Sequence, residues 1–473
     1  MGLGIHEEAK ESFPREIRGN ALFDLRRRID TGDVTIGVIG LGYVGLPLCC
    51  TIAEAGLRVA GFDVDAVKLE KLDRGESYIR TISDERVKNV VSREDIRKLA
   101  SSDTRRAFVP TGDLSRLADC DAILVCVPTP LNGEREPDLS FVVLTAEKIA
   151  EHLRPGQLVV LESTTYPGTT DEIVLPILEK KGLQAGTDFA LAFSPEREDP
   201  GNPSFETKTI PKLVGGVTPL CGSLATALYR AFIAKVEPVT NARVAESAKL
   251  LENIFRSVNI ALVNELKMLF DRMGIDVWEV VRAASTKPFG YMPFFPGPGL
   301  GGHCIPIDPF YLTWKAHQYD FSTRFIELAG EINRSMPYYV VNRVAGALAE
   351  CGKPLEGSRI LVLGVAYKKD VNDLRESPAL KLIELLEARG ASLSYNDPYV
   401  PSLKSRTLRG YGTIDLESVP ISPEELRRAD CVLIATDHTD YDVEMIVRNS
   451  NLIVDTRNAT APYRKQGDRI VKA

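Results

Sequence analysis

Residues 34–45, VTIGVIGLGYVG, constrain this chain more than any other stretch. A short β-branched run reads as a buried strand, and it passes through Gly40-Leu-Gly-Tyr-Val-Gly45 into a helical pattern, GLPLCCTIAEAG. A strand that turns directly into a helix over three glycines at this spacing is the phosphate-binding turn of a doubly wound parallel sheet. Gly40 permits the tight turn, Gly42 lets a pyrophosphate approach the backbone, and Gly45 lets helix and strand pack closely. The helix N-terminus then offers N–H donors and a favourable dipole to the phosphates. Asp63 closes the next strand, RVAGFDVD, 23 residues after Gly40. There a carboxylate grips ribose hydroxyls and repels a 2′-phosphate, which selects NAD over NADP. The competing reading is a glycine turn without a ligand. Strand, spacing and acid together argue against it.

The alternation continues. AILVCVP and LVVLEST read as further strands, with helical patterns such as LTAEKIAEHL between them. Strands alternating with helices call for a parallel sheet with right-handed crossovers. From about Val244 the pattern becomes one long helix, VAESAKLLENIFRSVNIALVNELKMLFDRMG, ended by Gly274, which reads as a connector between two lobes. Pro and Gly crowd residues 288–309, a loop. After Gly352 the βα alternation returns through SRILVLGVAYKKD, SPALKLIELLEARG, ASLSYNDPY, DCVLIATDH and LIVDTRN. GVIGLGY echoes in LVLGVAY and ADCDAILVCVP in ADCVLIATD, so both halves share a fold class. The second half lacks the Gly-rich turn, which leaves it for a different nucleotide. The expected architecture is α/β: two Rossmann-like doubly wound parallel-sheet domains joined by a long central helix. Its divisions are an extension over 1–33 containing a short helix at ALFDLRRRID, an NAD-binding domain over 34–235, a central helical region over 236–350, and a second sheet domain over 351–473.

Charge and cysteine usage narrow the function. The net charge of −7 comes without a block of like charges, which argues against nucleic acid or an anionic membrane surface as partner. No apolar run approaches a membrane span, and MGLGIHEEAK has no apolar signal core. Eight cysteines, mostly inside apolar runs and without a CxxC pair, read as reduced thiols of a cytoplasmic protein.

Cys304 is the exception. It lies in GPGLGGHCIPIDP, where five of the first six residues are Gly or Pro. A nucleophilic thiolate needs a polar or positive setting, and flanking glycines expose N–H groups and leave room for substrate. Asp308 is placed to hold a lysine or a water. A buried structural thiol is one alternative; a zinc site is another, but further ligands at metal spacing are missing, and no metal is expected. Lys249 and Asn253 stand at i and i+4 on the long helix and so share a face. They suit hydrogen bonding to a developing oxyanion. With Glu246 and Glu252 nearby, spacing alone reads more simply as a surface ion-pair face. Glu196, in SPEREDPG, reads on spacing alone as part of a solvated turn. The strand-end loops VPTP and ESTTYP carry hydroxyls where doubly wound sheets bind ligands.

Taken in order, GLGYVGLP, FDVD, ESTTYPGTT, SPEREDPGN, the KLLEN helix, GPGLGGHCIPIDP and AYKKDVNDLRESP resemble the UDP-glucose/GDP-mannose dehydrogenase family over about residues 34–460. The SPEREDPGN loop looks most like that of UDP-N-acetylglucosamine 6-dehydrogenases. Arg197 stands where UDP-glucose enzymes usually have Phe, which argues against plain UDP-glucose.

The resemblance implies an NAD-dependent four-electron oxidation of a sugar C6 alcohol to a uronic acid, a precursor for polysaccharide biosynthesis. The aldehyde is held on Cys304 as a thiohemiacetal and then a thioester. It implies Lys249 and Asn253 as oxyanion donors, Asp308 as support for Lys249 or a water, and Glu196 and Thr164 in proton transfer and hydrolysis. For NAD it implies Gly40, Gly42, Tyr43, Val44, Gly45, Asp63, Lys68, Pro128, Thr129, Thr164 and Arg375. For the UDP-sugar it implies Glu196, Arg197, Lys249, Asn253, Gly301, Lys368 and Arg457, with the site in a cleft between lobes. A homodimer or higher homo-oligomer goes with it.

Two other classes compete. A two-electron alcohol dehydrogenase has no use for Cys304, and a non-catalytic NAD sensor has none for Cys304, Lys249 and Asp308 together. Within the family, UDP-N-acetylgalactosamine, UDP-N-acetylmannosamine and UDP-glucose remain the alternative substrates.

Overall fold

A computed structural model describes residues 21–93, 107–197, 207–403, 406–407, 413–465 and 469–473. Its contacts divide the chain into two units: residues 1–132 with 137–249, and residues 133–136 with 250–473.

The first unit is built on strands β1 (Thr35–Ile39), β2 (Arg58–Phe62), β3 (Ala107–Thr111), β4 (Ala122–Val125), β5 (Leu158–Leu161), β6 (Ala190–Phe193), β7 (Lys212–Gly216) and β8 (Val236–Pro238). They form one sheet in the order β3-β2-β1-β4-β5-β6-β7-β8, parallel except where β6 meets β7. The order reverses between β1 and β4, so the turn after β1 lies at the switch point where such sheets bind ligands. β1, β2, β4, β5 and β6 are buried along their whole length, which explains their unbroken apolar runs. The helix Gly45–Glu54 is buried from Gly45 to Ala53, and both of its thiols, Cys49 and Cys50, are pushed up by burial. All eight cysteines are free, most of them inside the cores.

The short helix read at ALFDLRRRID forms as Ala21–Thr31 and belongs to this core: Leu22, Leu25 and Ile29 join its main apolar cluster. Arg28 pairs at 2.5 Å with buried Asp121, whose other oxygen accepts the Thr35 N–H at the start of β1.

The second unit carries β9 (Arg359–Leu363), β10 (Ser392–Asn396), a two-stranded pair β11 (Arg406–Thr407) and β12 (Thr413–Ile414), then β13 (Cys431–Ile434), β14 (Ile453–Asp455) and β15 (Ile470–Lys472). The main sheet is parallel, in the order β10-β9-β13-β14-β15. The long helix spans Ala242–Met273, and Gly274, at φ +70°, ends it in the left-handed conformation typical of a helix stop. A second long helix, Arg324–Glu350, was not singled out from sequence; it holds Pro337 in its interior and buries Val340, Val341, Val344 and Leu348 in the core of this unit. The loop read over 288–309 ends slightly earlier, because a helix begins at Asp308 and runs to His317.

Leu25→Ala is expected to destabilise the first unit by about 2–4 kcal/mol, read as a shift in its chemical denaturation midpoint. A shift worth less than about 0.5 kcal/mol would place the helix outside the core.

Candidate active site

In the first unit the glycines of the β1 turn do what their spacing suggested. Gly40 has φ +92°, and a Cβ there would stand 2.5 Å from the Cys126 carbonyl oxygen. A Cβ on Gly45 would meet the Gly40 carbonyl at 1.9 Å. Around Gly42 nothing lies within 4 Å of that position, leaving the backbone open to a phosphate. Asp63 follows β2, and its carboxylate accepts the Leu41 N–H at 2.9 Å and the Lys68 ammonium at 2.9 Å. The acid therefore ties down the turn as well as standing where a ribose would lie. Tyr78 donates to the Leu41 carbonyl at 2.5 Å, closing the other side. Open backbone, packed glycines and an anchored carboxylate fit a dinucleotide.

The neighbouring strand ends are bound together. Ser163 Oγ donates to the Val127 carbonyl at 2.7 Å, joining the ESTTYP loop to the loop that carries exposed Pro128 and buried Thr129. Thr164 is half-buried; the adjacent Thr165 is fully buried, and its hydroxyl has no partner among the described residues. Glu162, just before them, is buried and accepts from Lys212 Nζ and Tyr229 Oη, both at 2.5 Å. Sequence reading passed over Lys212 and Tyr229, because nothing in their spacing signals this cluster.

Glu196 stands 3.4 Å from Lys249 Nζ, and Arg197 donates to the Pro211 carbonyl at 2.7 Å. Residues 198–201 of the SPEREDPG loop lie outside the described residues. One turn before Lys249, Glu246 accepts from the N–H groups of Gly168 and Thr170 and from the Thr170 hydroxyl at 2.6–2.9 Å. Burial nevertheless pushes its carboxyl up to about 7.

Lys249, Asn253 and Glu246 are thus buried, with Lys249 4% and Asn253 1% exposed. The surface ion-pair face that spacing alone favoured does not exist here. Such buried polar groups persist only with partners. Asn253 finds them in the second unit: its amide donates to Asp308 Oδ2 at 2.5 Å, and its carbonyl accepts from Arg256 at 2.6 Å. Lys249 precedes it by one turn of the same unbroken helix.

Cys304 is half-buried, four residues before the helix that starts at buried Asp308. Its carbonyl accepts the N–H groups of Asp308 at 2.8 Å and Ile307 at 3.2 Å, a tight turn that ties the two residues' backbones together. The glycines before it were read as open space, and here the structure differs. A Cβ on Gly297 would meet the Arg457 guanidinium at 2.7 Å; on Gly301, Tyr367 Cβ at 2.6 Å; on Gly302, the Tyr367 ring at 2.9 Å. The Gly302 N–H donates to the Arg375 carbonyl at 2.9 Å. These glycines make room for the loop 366–377 and for Arg457. In that loop Lys368 is half-buried, while Arg375 is exposed and forks onto Asp373 at 2.7–3.0 Å.

The structure groups Gly40, Gly42, Gly45, Asp63, Lys68, Thr129, Thr164, Glu196 and Lys249 in the first unit. It groups Asn253, Gly301, Cys304, Asp308, Lys368, Arg375 and Arg457 in the second. Among the described residues no cluster of His, Cys, Asp and Glu could hold a metal, and no helix is long and apolar enough to cross a membrane.

Three domain models of one family match in succession: the UDP-glucose/GDP-mannose dehydrogenase NAD-binding domain over 34–233, the central domain over 243–335 and the UDP-binding domain over 361–462. The chain belongs to this family. It is similar to the UDP-N-acetyl-D-glucosamine 6-dehydrogenase of Pseudomonas aeruginosa, 34% identical over 86% of this chain and 92% of that one. It is also similar to the UDP-N-acetyl-D-mannosamine dehydrogenase of Pyrococcus horikoshii, 36% identical over 89% and 95%. A solved UDP-D-ManNAc dehydrogenase from Pyrococcus horikoshii superposes with TM-score 0.79 at 34% identity, covering 93% of this chain and 98% of that one. The chain is a nucleotide-sugar dehydrogenase by family, with the family's NAD-binding and UDP-binding domains both present.

Asp63→Ala is expected to weaken NAD binding at least tenfold in a fluorescence titration, since it removes the ribose contact and frees the turn. Unchanged affinity would move the ribose contact elsewhere.

Proposed function

We propose that this enzyme oxidises the C6 alcohol of a UDP-N-acetylhexosamine to the uronic acid, with Cys304 holding the sugar between two oxidations. UDP-N-acetylglucosamine is the first choice of substrate, with the mannosamine, galactosamine and glucose analogues as alternatives; relatives named for the glucosamine and mannosamine sugars are equally similar to this chain. The observation that carries the reading is the tight turn joining half-buried Cys304 to buried Asp308, whose carboxylate grips Asn253. A cysteine kept only for packing has no need of a turn that leads straight into a buried carboxylate paired with an amide.

NAD+, when bound, supplies a hydride acceptor, once for the alcohol and, as a second molecule, once for the thiohemiacetal. The chain does the rest. The alcohol loses its hydroxyl proton and one C6 hydride, giving the aldehyde. The Cys304 sulfur adds to that carbon, and the former carbonyl oxygen takes up a proton. Loss of the second hydride and the hydroxyl proton leaves a thioester. Water attacks it, releasing the carboxylic acid and the thiol.

The covalent anchor matters because a free aldehyde would escape between the steps. Lys249 and Asn253, one turn apart, donate to the oxygen that carries negative charge at each stage. Buried Asp308 accepts from the Asn253 amide and so fixes its orientation. Glu196, in reach of Lys249, takes and returns protons, and Thr164 orients the hydrolytic water. Lys368 and Arg457 suit the diphosphate and its sugar through charge and, for Arg457, a planar fork. Arg375 is assigned to the cofactor.

Cys304→Ala is expected to lower uronate formation by at least about a thousandfold while NAD affinity stays within about twofold of wild type. Wild-type uronate yield from this variant would remove Cys304 from the mechanism. Comparing kcat/KM for the four UDP-sugars tests the substrate: the N-acetylhexosamine is expected to lead UDP-glucose at least tenfold, and the reverse order would overturn that choice.

A further inference from the structure

We propose that His438 is a positioning residue: just past the ends of β9, β10 and β13 it holds the loop 366–377 in the shape that the Cys304 loop rests on. This deepens the dehydrogenase reading and, for its kinetic arm, rests on it.

The His438 side chain is fully buried and lies between two groups of opposite character. Its Nδ1 accepts the Asp370 N–H at 3.0 Å. A backbone N–H only donates, so Nδ1 carries no proton, and the ring proton sits on Nε2. Nε2 faces Asp397 Oδ2 at 3.0 Å. Tyr399 and Tyr441 wall the imidazole edge-on, with ring centroids 4.9 Å and 5.5 Å away. One tautomer and one orientation satisfy all of this.

Asp397 is the foundation of the arrangement. It follows β10 just as Asp63 follows β2, and it also reaches back to the turn after the first strand of its sheet. Its Oδ2 accepts the N–H groups of Val365 and Ala366 at 2.8 Å and 3.1 Å, while Oδ1 accepts those of Tyr399 and Val400 at 2.8 Å and 3.1 Å. Burial alone would push this carboxyl up, yet the His438 hydrogen bond and the backbone donors bring it below its ordinary range.

Asp370 is gripped from the other side. Its carboxylate accepts the Thr439 N–H at 2.7 Å and the Thr439 hydroxyl at 2.5 Å. Its backbone holds φ +62°, a conformation that L-residues keep only under constraint. It stands two residues after Lys368. The same loop presents Tyr367 to Gly301 and Gly302, and the Arg375 carbonyl to the Gly302 N–H. The path therefore runs from His438 through Asp370 and Tyr367 to the backbone two residues before Cys304. The links are the His438–Asp370 hydrogen bond, the short stretch of loop from Asp370 back to Tyr367, and the packing of Tyr367 on Gly301 and Gly302, all within one unit.

The test separates positioning from simple packing by choosing which nitrogen to replace. His438→Gln keeps a donor near Nε2 for Asp397 but offers Asp370 no acceptor. His438→Asn places an amide oxygen near Nδ1, restoring that acceptor. Amide hydrogen exchange is measured on the full ligand-free chain. His438→Gln is expected to speed exchange about tenfold in 366–377 and in 299–304, leaving the first unit unchanged. His438→Asn is expected to stay within about threefold of wild type. In turnover, the UDP-sugar KM of His438→Gln is expected to rise about tenfold, while that of His438→Asn stays within about threefold of wild type. Equal loosening in both variants, unchanged exchange in His438→Gln, or equal rises of the UDP-sugar KM in both variants would overturn the proposal. If wild type oxidises no UDP-sugar, the dehydrogenase reading fails, and the exchange experiment still decides the role of His438.

Discussion

A loop rich in glycine has little shape of its own, because glycine explores more backbone conformations than any other residue. The Cys304 loop is such a loop, and its shape is imposed from outside. Arg457 presses on Gly297, Pro378 on Gly299, and Tyr367 on Gly301 and Gly302. Asn264 accepts the Gly297 N–H at 3.0 Å, and its own amide is held by Asn333. Every one of these groups belongs to the unit that matches the family's central and UDP-binding domains. Cys304 is thus only as well placed as the elements around it, and those elements also carry Lys368 and Arg457, two of the residues proposed for the UDP-sugar.

The two sheets solve one local problem in the same way. A parallel strand that ends in a turn leaves backbone N–H groups pointing past the sheet edge. Asp63 takes the Leu41 N–H in one unit, and Asp397 takes those of Val365 and Ala366 in the other. The surroundings then diverge. Asp63 keeps company with Lys68 beside an open glycine turn, where a dinucleotide fits. Asp397 is closed over by His438 and four backbone donors. A carboxylate saturated in this way serves structure, so in the proposed reading the UDP-sugar is met by other groups, Lys368 and Arg457.

Much of this was legible in the sequence, for a physical reason. The β1 turn is local: strand, three glycines and helix follow within a dozen residues, so their chemistry is written in order. Asp63, Cys304 and Asp308 were singled out the same way. What stayed hidden depends on packing between distant segments. Lys249 and Asn253 read as a surface ion-pair face because helical spacing reports a shared side but not what covers it. The glycines before Cys304 read as open space because Tyr367 and Arg457 come from 65 or more residues further on. β3 and β7 were passed over, the first interrupted by Pro110 and the second ending in two glycines. His438 sits among Thr and Asp in TDHTD, which looks like a solvated turn. Only its burial against Asp397 shows otherwise.

The central claim is that one site performs two oxidations without releasing the aldehyde. It is tested most directly by counting NADH formed per UDP-sugar consumed, with excess NAD+ and the UDP-sugar turned over fastest. The account predicts a ratio of two from the first turnovers, with no free aldehyde trapped by an added hydrazine. A ratio of one, with the aldehyde accumulating, would contradict it and leave a simple alcohol dehydrogenase in which Cys304 forms no bond to the substrate.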